Sequence, residues 1–556
     1  MYSTDKESCN ILIDVLAGHG IKDYVLSPGS RNAPLIVALS RRGFLSKRII
    51  VDERSAAFVA VGMAQQLQKP VAIVCTSGTA LLNYAPAVAE AYYQKIPLII
   101  ISADRPKEWI DQDDSQTIRQ FEALSQFVKR SYDIPARCDD DTARWYVNRI
   151  ANDAIAEATS GQKAPVHINI QIDEPLNGEK EWQNEQRIIE VVETKPVLSE
   201  FVISRLGEEC RNKRVMILAG FGSYDSSLEK SIVELSKNDN VVVLTETIAN
   251  IKHSRFISAI DRTLLAMNDN DTELYVPDVL ITFGGAIVSR MIKTFLRKVH
   301  PKEHWHIGVT DVTVDCMQSL TKRILTNPTD FFMQFSKVFV GDNNNYSFDW
   351  HTLYRNATRR HQDYLSNIPW SDFKAFSIIF SMIPRSFRLQ LSNGTTIRYA
   401  QLFGDLIAVD NHCNRGVSGI DGSTSTALGA SLVYDHPTLL ITGDMSFSYD
   451  LSGLASLYNS SNLKIIVIKN GGGGIFRFIK NTASLPELEE YFEVSRDIPV
   501  KSYADAFGFK HFQASSEREL SEVLPSFFSE TSMPAILSVI TSAKISANVL
   551  SNYFKK

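Results

Sequence analysis

No stretch of this chain stays apolar for the roughly 18 residues that a membrane-spanning helix needs. One of its longest apolar runs, Ile96–Ala103, is broken at Pro97. The first residues, Thr4-Asp5-Lys6-Glu7, lack the apolar core of a secretory leader, so the expected compartment is the cytoplasm, with no membrane partner. Positive charge is not in excess: 58 Lys and Arg face 63 Asp and Glu, a formal net charge of −5. That balance argues against a general nucleic-acid binder. Cysteine is sparse and scattered. None of the six (Cys9, Cys75, Cys138, Cys210, Cys316, Cys413) forms a Cys-x-x-Cys pair, which removes zinc-ribbon and thioredoxin-like readings and leaves buried thiols. There is no low-complexity tail and no short-period repeat.

What is present is enough apolar material, 44% of 556 residues, for several packed cores. Short β-branched runs recur in three segments. They are Tyr24–Ser27, Val71–Thr76 and Leu98–Ser102, then Val215–Ala219, Val241–Thr245 and Val279–Phe283, then Leu439–Thr442, Ile465–Ile468 and Ala535–Ile540. Without polar alternation they suit parallel strands buried on both faces, with crossover helices between them. The fold class read here is α/β, with three open parallel-sheet domains. Polar stretches at Asn177–Glu200 and Gly341–Asn345 read as linkers, dividing the chain into 1–180, 181–342 and 343–556. Thr4-Asp5-Lys6-Glu7 reads as a capping box for a first helix that ends near Gly18 and Gly20.

In open α/β sheets, ligands sit beyond the carboxyl ends of the strands. Ser27-Pro28-Gly29-Ser30-Arg31 follows the first run, and its small residues permit close backbone approach. Glu53 stands between an apolar strand and an alanine-rich helix start, where a carboxylate also serves as a helix cap. Thr76-Ser77-Gly78-Thr79 offers hydroxyls and free N–H groups at another helix start. In the third segment, Gly443-Asp444 ends one strand. Asn470, at the end of the next, lies 26 residues later and is followed by Gly471-Gly472-Gly473-Gly474. A carboxylate, an amide oxygen and a glycine carbonyl are hard ligands suited to Mg²⁺, and the glycines leave room for a diphosphate. A Gly-x-Gly turn at Gly220-Phe221-Gly222 has Asp225 in place of the third glycine of a dinucleotide fingerprint, which argues against NAD or FAD there.

The Gly-Asp…Asn pair and the early Glu resemble the thiamine-diphosphate-dependent enzymes. Further stretches resemble their menaquinone-pathway branch: Asp52-Glu53-Arg54, Ala103-Asp104-Arg105-Pro106, Gln116-Thr117-Ile118-Arg119-Gln120 and Asn414-Arg415-Gly416-Val417-Ser418-Gly419-Ile420-Asp421-Gly422. Together they extend over most of the chain. The resemblance implies a pyrimidine-binding, a central and a diphosphate-binding domain, in that order. It implies thiamine diphosphate and Mg²⁺ (Mn²⁺ as a substitute) as cofactors, with Asp444, Asn470 and the Gly472 carbonyl as metal ligands. Cofactor contacts would come from Glu53, Thr76, Ser77, Gly78, Gly419, Ile420, Gly443, Asp444, Met445, Ser446, Asn470, Gly472, Gly473 and Ile475. Glu53 would be the catalytic acid at N1′ of the aminopyrimidine.

The implied reaction decarboxylates 2-oxoglutarate and adds the resulting succinyl-semialdehyde carbanion to isochorismate in a 1,4-addition. Both substrates are dicarboxylates, which the planar fork of arginine suits. Arg398 and Arg415 would face 2-oxoglutarate, while Arg31, Arg105 and Gln116 would face isochorismate. Ser30, Arg290, Ile475 and Phe476 complete the substrate set. The alternative is another thiamine-diphosphate-dependent 2-oxo acid decarboxylase or carboligase. The resemblance further implies a homo-oligomer, dimer or tetramer, with each active site between subunits. Two positions depart from the branch pattern: Gly394 stands where a serine is expected, and Ser289 stands where some relatives carry a basic residue.

Overall fold

The structure, a computed structural model, describes residues 1–183, 185–404, 410–494 and 496–555. Its strands form three main sheets. The first sheet uses β2 (Asp23–Leu26), β3 (Ser46–Ile49), β4 (Val71–Cys75), β5 (Leu98–Asp104), β6 (Ser131–Ile134) and β7 (Val166–Gln171), in the order β3-β2-β4-β5-β7-β6. All its pairings are parallel. A small antiparallel pair joins β1 (Tyr2–Thr4) to β8 (Glu179–Glu181). The second sheet, β9 (Val215–Ala219), β10 (Val241–Thr245), β11 (Val279–Phe283), β12 (Glu303–Ile307) and β13 (Lys322–Ile324), runs β10-β9-β11-β12-β13. The third has β14 (Arg388–Leu391), β15 (Asn411–Cys413), β16 (Thr438–Gly443), β17 (Leu463–Lys469), β18 (Lys510–Ala514) and β19 (Ala535–Ile540), ordered β15-β14-β16-β17-β19-β18.

The α/β class with open parallel sheets is as expected, and the reason is visible strand by strand. Every residue of β4, β9, β10 and β11 is buried, because helices cover both faces of each sheet. Among the described residues the main sheets number three, and the compact units number two. One unit comprises Met1–Glu193, Asn414–Thr438 and Tyr449–Leu463; the other comprises Thr194–Cys413, Leu439–Ser448 and Lys464–Lys556.

Within the first unit, the helix Glu53–Leu67 packs on the helix Ser423–Ser431 at backbone range. A Cβ on Gly62 would lie 2.0 Å from the Thr426 carbonyl, and one on Gly429 would lie 2.0 Å from the Val59 carbonyl. Two glycines facing two carbonyls set the approach of these helices.

One local expectation fails and another holds only in part. The first helix, Glu7–Gly18, begins after Lys6 with no side-chain cap. Thr4 is instead the last residue of β1, opposite Glu179, and the Glu7 carboxylate is held by Arg144 and Lys180. Long-range ion pairing has overridden the local capping motif. The start of the supposed linker at Asn177–Glu200 is likewise structured: it supplies β8, and Trp182 is buried with its indole N–H donating to Asp14 at 2.7 Å.

Candidate active site

In the first unit, the carboxyl ends of β2, β4 and β5 gather several of the expected residues. Gly29 permits the turn after β2 to touch β4: a Cβ there would lie 2.3 Å from Thr76. The Thr76 hydroxyl accepts the Arg31 N–H at 3.3 Å. Arg31 is buried; it donates to the Ile172 carbonyl at 3.0 Å and pairs with Glu174 at 2.9 Å. Ser30 beside it is exposed. Gly78 adopts a φ of +81°, and its N–H donates to Gln120 at 2.7 Å. Gln116 donates to the Ser77 carbonyl at 2.7 Å, so the Ser77–Gly78 peptide is clamped on both its C=O and its N–H side. Arg105 pairs with Asp114 at 2.9 Å.

Glu53 is the first residue of its helix, which Asp52 caps by accepting the Ser55 N–H at 3.1 Å. Glu53 is half-buried, accepts the Asn83 amide at 3.3 Å and opens onto a cavity of about 760 Å³. Ile49, Val51, Asn83, Ser452 and Leu457 also line this cavity. Arg415, Gly419 and Ile420 belong to the same unit, in the loop before Ser423–Ser431. Ile420 remains 40% exposed, so it is not ordinary core. Gly422, at φ +68°, has Phe58 where a side chain would be, 2.3 Å from its Cβ position.

The second unit gathers the rest. Asp444 follows β16, and Asn470 with its glycines follows the neighbouring β17. Asp444 is buried. Its Oδ2 accepts the N–H groups of Gly471 and Gly472 at 2.9 and 3.0 Å, and its Oδ1 accepts that of Met445 at 2.8 Å. Burial pushes its carboxyl up to about 6, against the pull of those three N–H groups. The Asn470 amide nitrogen donates to Asp372 at 2.9 Å, which leaves the amide oxygen as its open end.

Among the described residues no cluster of three His, Cys, Asp or Glu side chains can hold a metal. A divalent ion at Asp444 would therefore need neutral protein oxygens and oxygens from a ligand. One carboxylate, one amide oxygen and a glycine carbonyl provide that hard, incomplete donor set, so the residues fit Mg²⁺ bound together with a diphosphate. Gly471 and Gly472 adopt φ of +93° and +141°, which other residues rarely tolerate. Met445, Ser446 and Gly473 flank this loop pair, and half-buried Ile475 and Phe476 follow it.

Arg290 and Arg398 also lie in this unit, and one buried carboxylate ties their helices together. Glu246 accepts the N–H groups of Val288 and Ser289, each at 3.0 Å, and the side-chain amide of Gln401. Ser289 and Arg290 begin the helix Arg290–Val299; Arg398 and Gln401 stand on the helix Thr395–Phe403. Burial pushes the Glu246 carboxyl up to about 7. The two departures from the branch pattern have local explanations. Ser289 is buried, caps its helix by accepting the Ile292 N–H at 3.1 Å, and donates to Asp261. Gly394 has a φ of +90°, a conformation that serine rarely adopts.

The Gly220-Phe221-Gly222 turn is occupied by protein. The Gly220 N–H donates to the Phe283 carbonyl at 3.0 Å, the Gly285 N–H donates to the Phe221 carbonyl at 2.6 Å, and a Cβ on Gly220 would lie 2.3 Å from the Gly285 carbonyl. Its glycines serve loop-on-loop packing. Gln120, Glu246 and Asp372 were not among the expected site residues. Only Gln120 had a sequence signal, as the last residue of a family-like stretch.

Three family profiles match the chain in order. They describe the thiamine pyrophosphate enzyme N-terminal TPP binding domain (residues 8–123), the middle domain of thiamine pyrophosphate enzymes (173–357) and the C-terminal TPP binding domain (408–539). Curated relatives match almost end to end. The 2-succinyl-5-enolpyruvyl-6-hydroxy-3-cyclohexene-1-carboxylate synthase of Porphyromonas gingivalis is 42% identical over 99% of this chain and 97% of its own length. Those of Flavobacterium johnsoniae and Bacteroides fragilis are 40% and 34% identical, the first over 98% of both chains, the second over 100% of this chain and 99% of its own. The chain belongs to the 2-succinyl-5-enolpyruvyl-6-hydroxy-3-cyclohexene-1-carboxylate synthase family of thiamine-diphosphate-dependent enzymes.

Proposed function

We propose that this enzyme decarboxylates 2-oxoglutarate and adds the four-carbon remainder to isochorismate by 1,4-addition. The products would be 2-succinyl-5-enolpyruvyl-6-hydroxy-3-cyclohexene-1-carboxylate and CO₂, in menaquinone biosynthesis. The observation that carries the reading is the paired strand ends of β16 and β17, where Asp444 and Asn470 offer oxygens beside a glycine loop. The chemistry supplied by bound thiamine diphosphate is a carbon nucleophile, which loss of CO₂ from a 2-oxo acid requires. Asp444, Asn470 and the Gly472 carbonyl would hold Mg²⁺, or Mn²⁺ in its place, with the cofactor's diphosphate.

Glu53 holds a proton at N1′ of the aminopyrimidine, and Asn83 keeps its carboxylate oriented. Ile420 supports the cofactor's apolar face, and Ile475 with Phe476 walls the reacting carbon from water. Arg398 and Arg415 orient the carboxylates of 2-oxoglutarate. Arg31, Arg105 and Gln116 orient those of isochorismate, with Glu174 and Asp114 giving way to the incoming carboxylates, and Arg290 completes the set of carboxylate-binding arginines. The working form is a cytoplasmic homo-oligomer in which Glu53 of one subunit serves the diphosphate loops of another. Exposed apolar side chains at and near the Glu53 cavity, Val51 at 75% and Leu457 at 88%, support a partner surface there.

The test is product analysis by mass spectrometry with thiamine diphosphate, Mg²⁺, isochorismate and either 2-oxoglutarate or pyruvate. The expected result is the succinyl adduct with 2-oxoglutarate and no adduct with pyruvate. CO₂ release from pyruvate at an equal rate would make the chain a different decarboxylase or carboligase of this family.

A further inference from the structure

Arg415 stands on a loop that belongs to no helix or strand, so something other than regular structure must set its direction. The two residues that follow it are held by one side chain. Glu90, on the helix Ala85–Gln94, accepts the Gly416 N–H on Oε1 at 2.6 Å and the Val417 N–H on Oε2 at 2.7 Å. Two consecutive backbone N–H groups on the two oxygens of one carboxylate form a fork that fixes both distance and direction. The fork is braced in turn. Gln94 donates to Glu90 Oε1 at 2.5 Å and accepts from the Gln65 amide at 3.1 Å. Glu90, Gln94 and Gln65 are 3%, 8% and 3% exposed, so this chain of amides and carboxylate is closed to solvent.

The close approach depends on glycine. A Cβ at position 416 would lie 2.5 Å from the Glu90 carbonyl and 3.1 Å from Tyr93 Cβ. A buried carboxylate is expensive unless its charge is matched by donors, and here three N–H groups supply that match.

We propose that Glu90 is a positioning residue for the reaction, fixing the backbone directly after Arg415 and so aiming its guanidinium at the carboxylate of the 2-oxo acid substrate. The inference rests on the reading that Arg415 binds 2-oxoglutarate. Glu90→Gln keeps the size of the side chain but turns an amide N–H toward one of the two backbone donors, so the fork loses one tine.

The experiment measures KM for each substrate, kcat and thiamine-diphosphate affinity for Glu90→Gln, Arg415→Ala and the double variant. Glu90→Gln is expected to raise KM for 2-oxoglutarate roughly tenfold, the scale of one charge-assisted hydrogen bond. KM for isochorismate and cofactor affinity should stay within about twofold, since neither contact is made by Arg415. In the Arg415→Ala background, Glu90→Gln should raise KM for 2-oxoglutarate no further, because there is no guanidinium left to aim. Gly416→Ala, which presses the loop off the fork without altering Glu90, should reproduce the selective rise and covers the case in which Glu90→Gln fails to fold. Additive effects in the double variant, or equal losses toward both substrates and cofactor, would overturn the proposal. An unchanged 2-oxoglutarate KM in Arg415→Ala itself would overturn the underlying assignment of Arg415, and the inference with it.

Discussion

Asn470 carries a donor and an acceptor on one planar amide, and only the acceptor end can face a cation. Asp372 decides which end that is. It is fully buried, and its Oδ2 takes the Asn470 amide nitrogen at 2.9 Å. Its own orientation is set by the Thr541 hydroxyl at 2.5 Å on Oδ1 and by its N–H donating to Ser546 at 2.9 Å. Burial pushes this carboxyl above its usual range, while the hydrogen bonds from Thr541, Asn470 and Ser546 pull the other way. Asp372→Ala should therefore leave the amide free to turn its nitrogen toward the metal. Loss of such an outer partner typically weakens metal affinity about 10- to 100-fold. Calorimetry of thiamine diphosphate binding with Mg²⁺ present is the check, and unchanged affinity would remove Asp372 from the site. Asp444, Asn470 and Glu53 were legible in the sequence because each ends an apolar strand or begins a helix, so its place follows from local pattern. Asp372 and Glu90 were not. Their roles depend on partners 98 and 326 residues away, and nothing beside them in the chain marks the relation.

At the scale of elements, legibility follows burial. The central strands β4, β5, β9, β11, β16, β17 and β19 announce themselves as continuous apolar runs because both their faces are covered, and so does the edge strand β10, every residue of which is buried. The less buried edges do not. Strand β3 reads Ser-Lys-Arg-Ile and β18 reads Lys-His-Phe-Gln-Ala, and each pairs on one side only. Strand β7, Val-His-Ile-Asn-Ile-Gln, is wholly buried yet alternates polar residues, because those residues form a hydrogen-bonded network. There, His167 and Asn169 both meet Ser102, at 2.7 and 2.9 Å.

The crossing of Glu53–Leu67 on Ser423–Ser431 carries a sharper consequence. Gly62 and Gly429 each face a carbonyl oxygen rather than a movable side chain, so an added methyl has nowhere to go. Gly62→Ala should destabilise the fold by about 1–3 kcal/mol, the usual cost of overpacking, despite the higher helix propensity of alanine. Thermal unfolding should show a lower Tm. A Tm equal to that of the parent protein would mean that the two helices separate easily.

At the scale of the whole molecule, the expected residues fall into two sets. Glu53, Arg31, Arg105, Arg415 and Ile420 belong to one compact unit, and Asp444, Asn470, Gly472, Arg290 and Arg398 to the other. The proposed oligomer joins Glu53 of one subunit to the Asp444 loop of its neighbour, and this arrangement makes a prediction that a self-contained chain does not. Glu53→Gln removes the proton holder, and general acid–base assistance is typically worth about 10²- to 10⁴-fold in rate. Asp444→Ala removes the only charged protein ligand proposed for the metal. Each variant alone should be nearly inactive. When the two are co-expressed, a mixed dimer has one site bearing both defects and one site built from the intact Glu53 of one chain and the intact Asp444 of the other. Random pairing makes about half of the dimers mixed, each with one of two sites intact, so specific activity should recover to roughly a quarter of the parent value in a closed two-fold dimer. If each active site instead used a single chain's residues, every site in the mixture would carry one defect or the other, and co-expression would restore nothing. Affinity tags on the two variants allow the mixed species to be purified, where the expected recovery is about half. Failure of that purified hybrid to turn over would place Glu53 and Asp444 in the same chain's site.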